Sequence, residues 1–240
     1  MRVMPAISLK TRGEATGAPD SMRIYLQAEA TAGVATDALR QCNEKAATTV
    51  DGIAGLGIAG ATVTREMFQF SSPASGDSYS YSNQAAAPAG ARVCQVMRVE
   101  APLAQPADKL ALATQISAVF DVAARNGVNL GSRPAASDDP FGPPKKKPVE
   151  FVLADYSALR ALAVHDAITA RDSMREQLAE AGVRTGHLLS VGHYKIAGSG
   201  DRERVAMIGP EESVPVVASD SPDSICIVVL IAWEYALVEG

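Results

Sequence analysis

The residues of this chain most able to do chemistry are three cysteines and three histidines. Cys42, Cys94 and Cys226 are odd in number and have no C-x-x-C spacing, which fits neither a zinc site nor a disulfide framework. Cys42 falls on the apolar face of an expected helix and Cys226 in an apolar strand, so both read as small core hydrophobes rather than nucleophiles. His187 and His193 share strand parity. Six residues at about 3.3 Å each separate them by about 20 Å, too far to chelate one ion within a strand. His165 neighbours Asp166 on a helix, where adjacent residues point about 100° apart. All three histidines read as surface or boundary residues. Asp138-Asp139 has no helper nearby, and carboxylates at metal-ligand spacing are absent from the sequence.

Two motifs invite a catalytic reading and fail on context. "GLGIAG", Gly55 to Gly60, is a literal G-x-G-x-x-G. The dinucleotide fingerprint needs a strand before the glycines and a helix after them, so that the helix N-terminus meets the pyrophosphate. Here the order is reversed, and the glycines read as a helix stop and turn. "SGDS", Ser75 to Ser78, contains the Gly-Asp-Ser of some esterases but lies in low-complexity sequence with no strand-to-helix elbow. The sequence therefore assigns no catalytic, cofactor-binding or metal residue. The expectation is a protein that is not an enzyme and carries no cofactor.

Composition excludes further classes. The chain has 240 residues, 47% hydrophobic and 20% charged, enough for a sizeable core. A formal charge of −5 and 5% aromatics argue against a nucleic-acid partner. The basic run Lys145, Lys146, Lys147 is flanked by prolines and reads as a solvated loop. No integral membrane span is expected, because the longest apolar run, Ile225 to Val238, is too short to cross a bilayer as a helix. "MRVMPAISLK" lacks a signal-peptide core. The protein is then cytoplasmic, or a mature periplasmic or cell-envelope form whose leader has been removed.

The elements follow from periodicity. Residues 6 to 13 and 21 to 30 alternate as half-buried strands, and Pro19-Asp20 supplies a turn between them, hairpin-like. From Val34 to Ile53 the stripe Ala35, Leu39, Cys42, Ala46, Val50, Ile53 marks a helix. Strands follow at 61 to 70 and 91 to 101. Pro106 suits a second helix start, with the stripe Leu112, Ile116, Val119, Phe120, Ala123. A strand at 149 to 155 precedes a third helix, Tyr156 to Ala181, with Asp155 as N-cap and Gly182 as stop. Its stripe is Leu159, Ala163, Ala167, Ala170, Met174, Leu178, Ala181. Its polar side carries Arg171, Asp172, Arg175, Glu176 and Glu180, a mixed face that is normally solvated or serves an oligomer contact. Strands at 186 to 197 and 225 to 238 end the chain. The order β-β-α-β-β-α-β-α-β-β predicts an α+β fold, a mixed or antiparallel sheet with three main helices packed on it. We expect one domain over 1–240, with flexible loops near 71–90, 132–148 and 198–215.

The last strand is apolar at both parities, with Ile225, Ile227, Val229, Ile231 and Trp233 on one side and Cys226, Val228 and Leu230 on the other. Such a strand is covered on both faces. With helices on one side only, a partner subunit is the simplest second cover, so a homo-oligomer is expected, with Val229 and Trp233 as its contact residues.

The ordered pieces resemble a known family. "ISLKTRGEATGAPDSMRIYLQAEATAGVATDAL" resembles the opening of SIMPL-domain proteins, with Gly13, Glu14, Pro19, Asp20, Ala38 and Leu39 in place. Gly57-Ile58 followed by Val63-Thr64 looks like a further element of that pattern. "ADKLALATQISAVFDVAARNGV" is similar to the family's second helix. "ALRALAVHDAITARDSMREQLAEAGVRTGHLLSV" is similar to its third, with Arg160, Ala163, Ala167, Ala170, Arg171, Leu178, Ala179, Gly182 and Gly186 in register. The resemblance covers nearly the whole chain. It implies an extracytoplasmic α+β protein, of the periplasmic immunogenic type, that assembles into large rings or channel-like oligomers with a structural or stress-protective role. It supplies no catalytic residues. The Pro/Lys stretch at 138–148 is longer than the family pattern. The alternative is a protein- or ligand-binding module acting through loops 71–90 and 138–148.

Overall fold

The computed structural model describes residues 5–71, 90–104, 108–131, 148–198, 217–219 and 221–238. The segments 72–89, 132–147 and 199–216 lie outside it, and with them Ser75–Ser78, Asp138, Asp139 and the lysine run. The described chain is α+β, with three helices on antiparallel sheets. The order of the long elements is the expected one, and two three-residue strands are added to it. The chain divides into two compact units, one built from residues 1–20 and 151–240, the other from 21–150.

The first unit holds β1 (Ala6–Gly17), β7 (Thr185–Gly198) and β9 (Ile225–Leu237) in the order β1-β9-β7. The N-terminal strand pairs antiparallel with the C-terminal one, from Ala6 opposite Ala236 to Gly17 opposite Ile225. The end of β6 (Val149–Leu153) pairs with the short β8 (Val217–Ser219). One helix, α3 (Ser157–Glu180), packs on the three-stranded sheet. Leu159, Ala163 and Ala167 are its buried residues, and beneath them lie Leu9, Ile225, Ile227, Val229, Ile231, Trp233 and Tyr235. The C-terminal half of the expected stripe is less covered, and Met174 is exposed. Asp155 sits one position before the N-cap, Tyr156, yet still accepts bonds from the Ser157 N–H and O–H.

The helix lies unusually close to β1. A Cβ added at Gly13 would meet the Ala163 carbonyl oxygen at 1.9 Å and the Ala167 nitrogen at 2.5 Å. One helical turn earlier, a Cβ at Gly17 would meet Leu159 Cδ2 at 3.2 Å. Small residues on both partners permit this approach, because any side chain there would hold the backbones apart. From the helix, Asp166 Oδ2 accepts the Glu14 N–H at 2.9 Å, so a side chain of α3 satisfies a backbone donor of edge strand β1.

The second unit holds β2 (Ser21–Ala32), β3 (Thr62–Ser71) and β4 (Ala91–Pro102) in the order β3-β4-β2, with β5 (Val128–Leu130) paired to β2. The helices are α1 (Ala35–Ala54) and α2 (Lys109–Arg125). Met22, Ile24, Leu26, Ala28 and Ala30 alternate inward on β2 and are fully or almost fully buried. The buried line of α1 is Ala38, Cys42, Ala46, Thr49, Ile53, rotated from the expected stripe so that small residues face the sheet and Leu39 and Val50 flank it. In α2, Val122 is buried where Phe120 was expected, and Asp108 caps the helix by accepting the Leu110 and Ala111 N–H groups. Pro106 lies outside the described residues. The opposite face of β2 and β4 carries cross-strand ion pairs, Arg23 with Glu100 at 3.1 Å and Arg92 with Glu29 at 2.7 Å. Arg98 pairs with Glu66 of β3 at 2.6 Å.

The Pro19-Asp20 turn does not close a hairpin. β1 pairs with β9, whereas β2 pairs with β4. Asp20 does bond backbone ahead of it, but far along the chain, since its carboxylate accepts the Ala154 N–H at 2.9 Å.

Replacing Gly13 by alanine is expected to cost about 3 kcal/mol, the upper end of ordinary overpacking, because the obstructing atoms are backbone. Gly33→Ala meets nothing within 4 Å and should change stability by less than about 0.5 kcal/mol. Urea denaturation of the two variants makes the comparison.

Candidate functional site

Among the described residues, the chemistry-bearing side chains named from the sequence do not converge. His165 and His187 are exposed, one on α3 and one on β7. The His193 backbone lies opposite Ile231 in the β7–β9 register. Among the described residues, no three His, Cys, Asp or Glu side chains group closely enough to hold a metal ion. The glycines of "GLGIAG" follow α1 and precede β3, with Gly57 and Gly60 at φ of 65° and 71°, so this is a left-handed turn between a helix and a strand. No described helix is long and apolar enough to cross a membrane.

Cys42 and Cys94 are buried, and burial pushes both thiols above their ordinary range. Cys42 donates to the Ala28 carbonyl at 3.4 Å, as a packed core thiol does. Cys226 is half-buried on β9; burial raises its thiol too, the carboxylate of Glu14 adds to the shift, and Arg12 opposes it.

That neighbourhood identifies the two faces of β9. Odd-numbered residues Ile225 to Tyr235 are buried under α3. Val229 and Trp233, expected as intersubunit contacts, therefore belong to the unit's own core; Trp233 Nε1 donates to Thr11 Oγ1 at 2.8 Å. The even-numbered Cys226, Val228, Leu230 and Ala232 form the other face and are only half-buried. Register sets the exposed Thr16, Glu14, Arg12 and Lys10 of β1 beside them. The result is an apolar strip with a charged border.

The polar side of α3 does more than meet solvent. The Arg171 guanidinium lies 4.6 Å from the Trp233 ring centroid, and that of Arg175 lies 4.8 Å from the Tyr235 centroid. The two stacks are in register because four helical residues and two strand residues each advance by about 6 Å. This spacing was present in the sequence, but nothing local says which helix lies on which strand. Beyond the second stack, α3 and the start of β7 enclose an open cleft of about 520 Å³. Asp172, Arg175, Glu176 and Ala179 form one wall, Arg184, Thr185 and Val238 the other.

The SIMPL family model, described as a protein of unknown function (DUF541), matches residues 7–225. The chain thus belongs to the SIMPL family, and the match spans both compact units. No curated protein matches the chain.

Burial makes a clear statement about the thiols. In the native protein Cys42 and Cys94 should resist iodoacetamide at mildly alkaline pH and react once urea unfolds the chain, as intact mass will report. Their folded pKa values lie above the ordinary 9.0, so their contribution to stability is complete below that pH and is lost as pH rises past it toward the folded values.

Proposed function

We propose that the protein is a non-catalytic, self-assembling component of the cell envelope, of periplasmic type, whose copies join into a ring or channel-like homo-oligomer with a structural or stress-protective role. The observation that carries this reading is the apolar strip Cys226, Val228, Leu230, Ala232, whose residues are only half-buried and which no described element of its unit covers completely. Apolar surface gains about 25 cal/mol per Å² when removed from water, and a second copy carries the same strip. The charged border from Lys10 to Glu14 supplies a polar rim of the kind that sets orientation and register. The resemblance to ring-forming members of the family points the same way.

A second surface in the other unit supports a closed assembly. Phe68 and Phe70 lie on edge strand β3, 42% and 61% exposed, with ring centroids 6.3 Å apart. A chain with two distinct adhesive surfaces can form heterologous contacts, and these close into rings when the rotation allows.

Mass photometry at micromolar concentration should find species several times the 25.0 kDa chain mass. Leu230→Glu should shift the population to monomer and open Cys226 to iodoacetamide. A wild-type protein that is only monomeric, with Cys226 equally reactive in both forms, would sink the reading.

A further inference from the structure

The two guanidinium stacks on α3 differ in one respect that bears on binding. Arg171 spends its fork within the fold, since its Nε and Nη2 both reach Asp172 Oδ1, at 2.8 and 2.7 Å. Arg175 is held just as firmly but keeps its fork open. Its plane rests near the Tyr235 ring, its Nε donates to Thr185 Oγ1 at 3.0 Å, and no carboxylate among the described residues pairs with it. An anchored guanidinium with open Nη groups, lining a cleft, is a pre-organised receptor for a planar anion. Arg184, exposed on the facing wall and without an acidic partner among the described residues, adds positive charge.

The rest of the lining selects among anions. Asp172 is neutralised by Arg171, but Glu176 has no partner among the described residues and keeps its charge at the cleft. A phosphate dianion would face that carboxylate at close quarters. A singly charged carboxylate would meet less repulsion, and a ligand carrying an ammonium group as well would turn Glu176 from a cost into a contact. Ala179 and Val238 offer apolar surface for a small side chain. A volume of about 520 Å³ lies within the ordinary range of small-molecule sites.

We propose that this cleft binds the zwitterion of a short peptide or amino acid, its carboxylate on Arg175 and Arg184 and its ammonium on Glu176. The full-length chain, ¹⁵N-labelled, is titrated into the millimolar range with the dipeptide Ala-Ala, with N-acetyl-Ala-Ala and with inorganic phosphate. Ala-Ala should give saturable shifts at the Arg175 Nε–H and the Thr185 amide, with phosphate binding more weakly. Arg175→Lys keeps the charge but not the fork and should weaken Ala-Ala at least about tenfold, a difference of about 1.4 kcal/mol. Arg184→Ala, at an exposed position, should weaken it too and serves as the test if the Arg175 variant does not fold. Glu176→Gln should weaken Ala-Ala, which loses its ammonium contact, and strengthen N-acetyl-Ala-Ala, which loses a repelling carboxylate. No saturable shift with Ala-Ala, phosphate binding as tight as Ala-Ala, or full affinity in the two arginine variants would overturn the proposal. Equal binding of the free and acetylated peptides would remove the role given to Glu176.

Discussion

The contact between Gly13 of β1 and the Ala163–Ala167 step of α3 governs the first unit. Helix and strand backbones meet there with no side chain between them on the strand and only methyl groups on the helix. That closeness lets Asp166 reach the Glu14 N–H, and it sets the height at which the rest of α3 passes over the sheet. One turn further along, the helix is near enough for Arg171 and Arg175 to lie against Trp233 and Tyr235. A bulkier residue at position 13 would lift the helix and weaken the core beneath it, the edge protection and both aromatic stacks together. Close-packed interiors transmit such a change because they have little free volume to absorb it.

The same geometry makes β9 two-sided in a consequential way. One helix covers one face, and the alternation of a strand turns every second residue the other way. Because both parities of β9 are apolar, folding the unit buries half of its apolar residues fully and leaves the other half partly wet. The proposed assembly would cover this strip. The second unit handles its sheet differently. There the face away from α1 carries Arg23, Glu29, Arg92, Arg98 and Glu100 in cross-strand pairs, so its charges are matched across the sheet, with Arg23–Glu100 and Arg98–Glu66 largely buried.

The candidate cleft shows how a side chain's role depends on its neighbours. Arg171 and Arg175 are equivalent in a helical projection, four residues apart on one polar side. The adjacent Asp172 satisfies one of them, and the residue following the other, Glu176, does not. The difference between a structural arginine and an available one is thus made by a single carboxylate orientation.

Periodicity alone determined the long elements, their order and their type, because alternation and the 3.6-residue repeat are properties of local sequence. It also determined that the last strand is apolar on both sides, that "GLGIAG" is a helix stop, and that Cys42 packs inward. Local sequence could not determine which strands pair, since a register such as Ala6 with Ala236 joins residues at opposite ends of the chain. Neighbouring strands β1 and β2 looked like a hairpin, yet they entered different sheets, because the partners available to each across the whole chain outweighed the short turn between them. The same long-range choice put Val229 and Trp233 under α3 and left Val228 and Leu230 open, and it brought Thr185 and Tyr235 to Arg175. Patterning along the chain says that a face is apolar or that a helix side is charged. Only the tertiary structure decides what each face meets, because contact energy depends on distance in space and a sequence records distance along the chain.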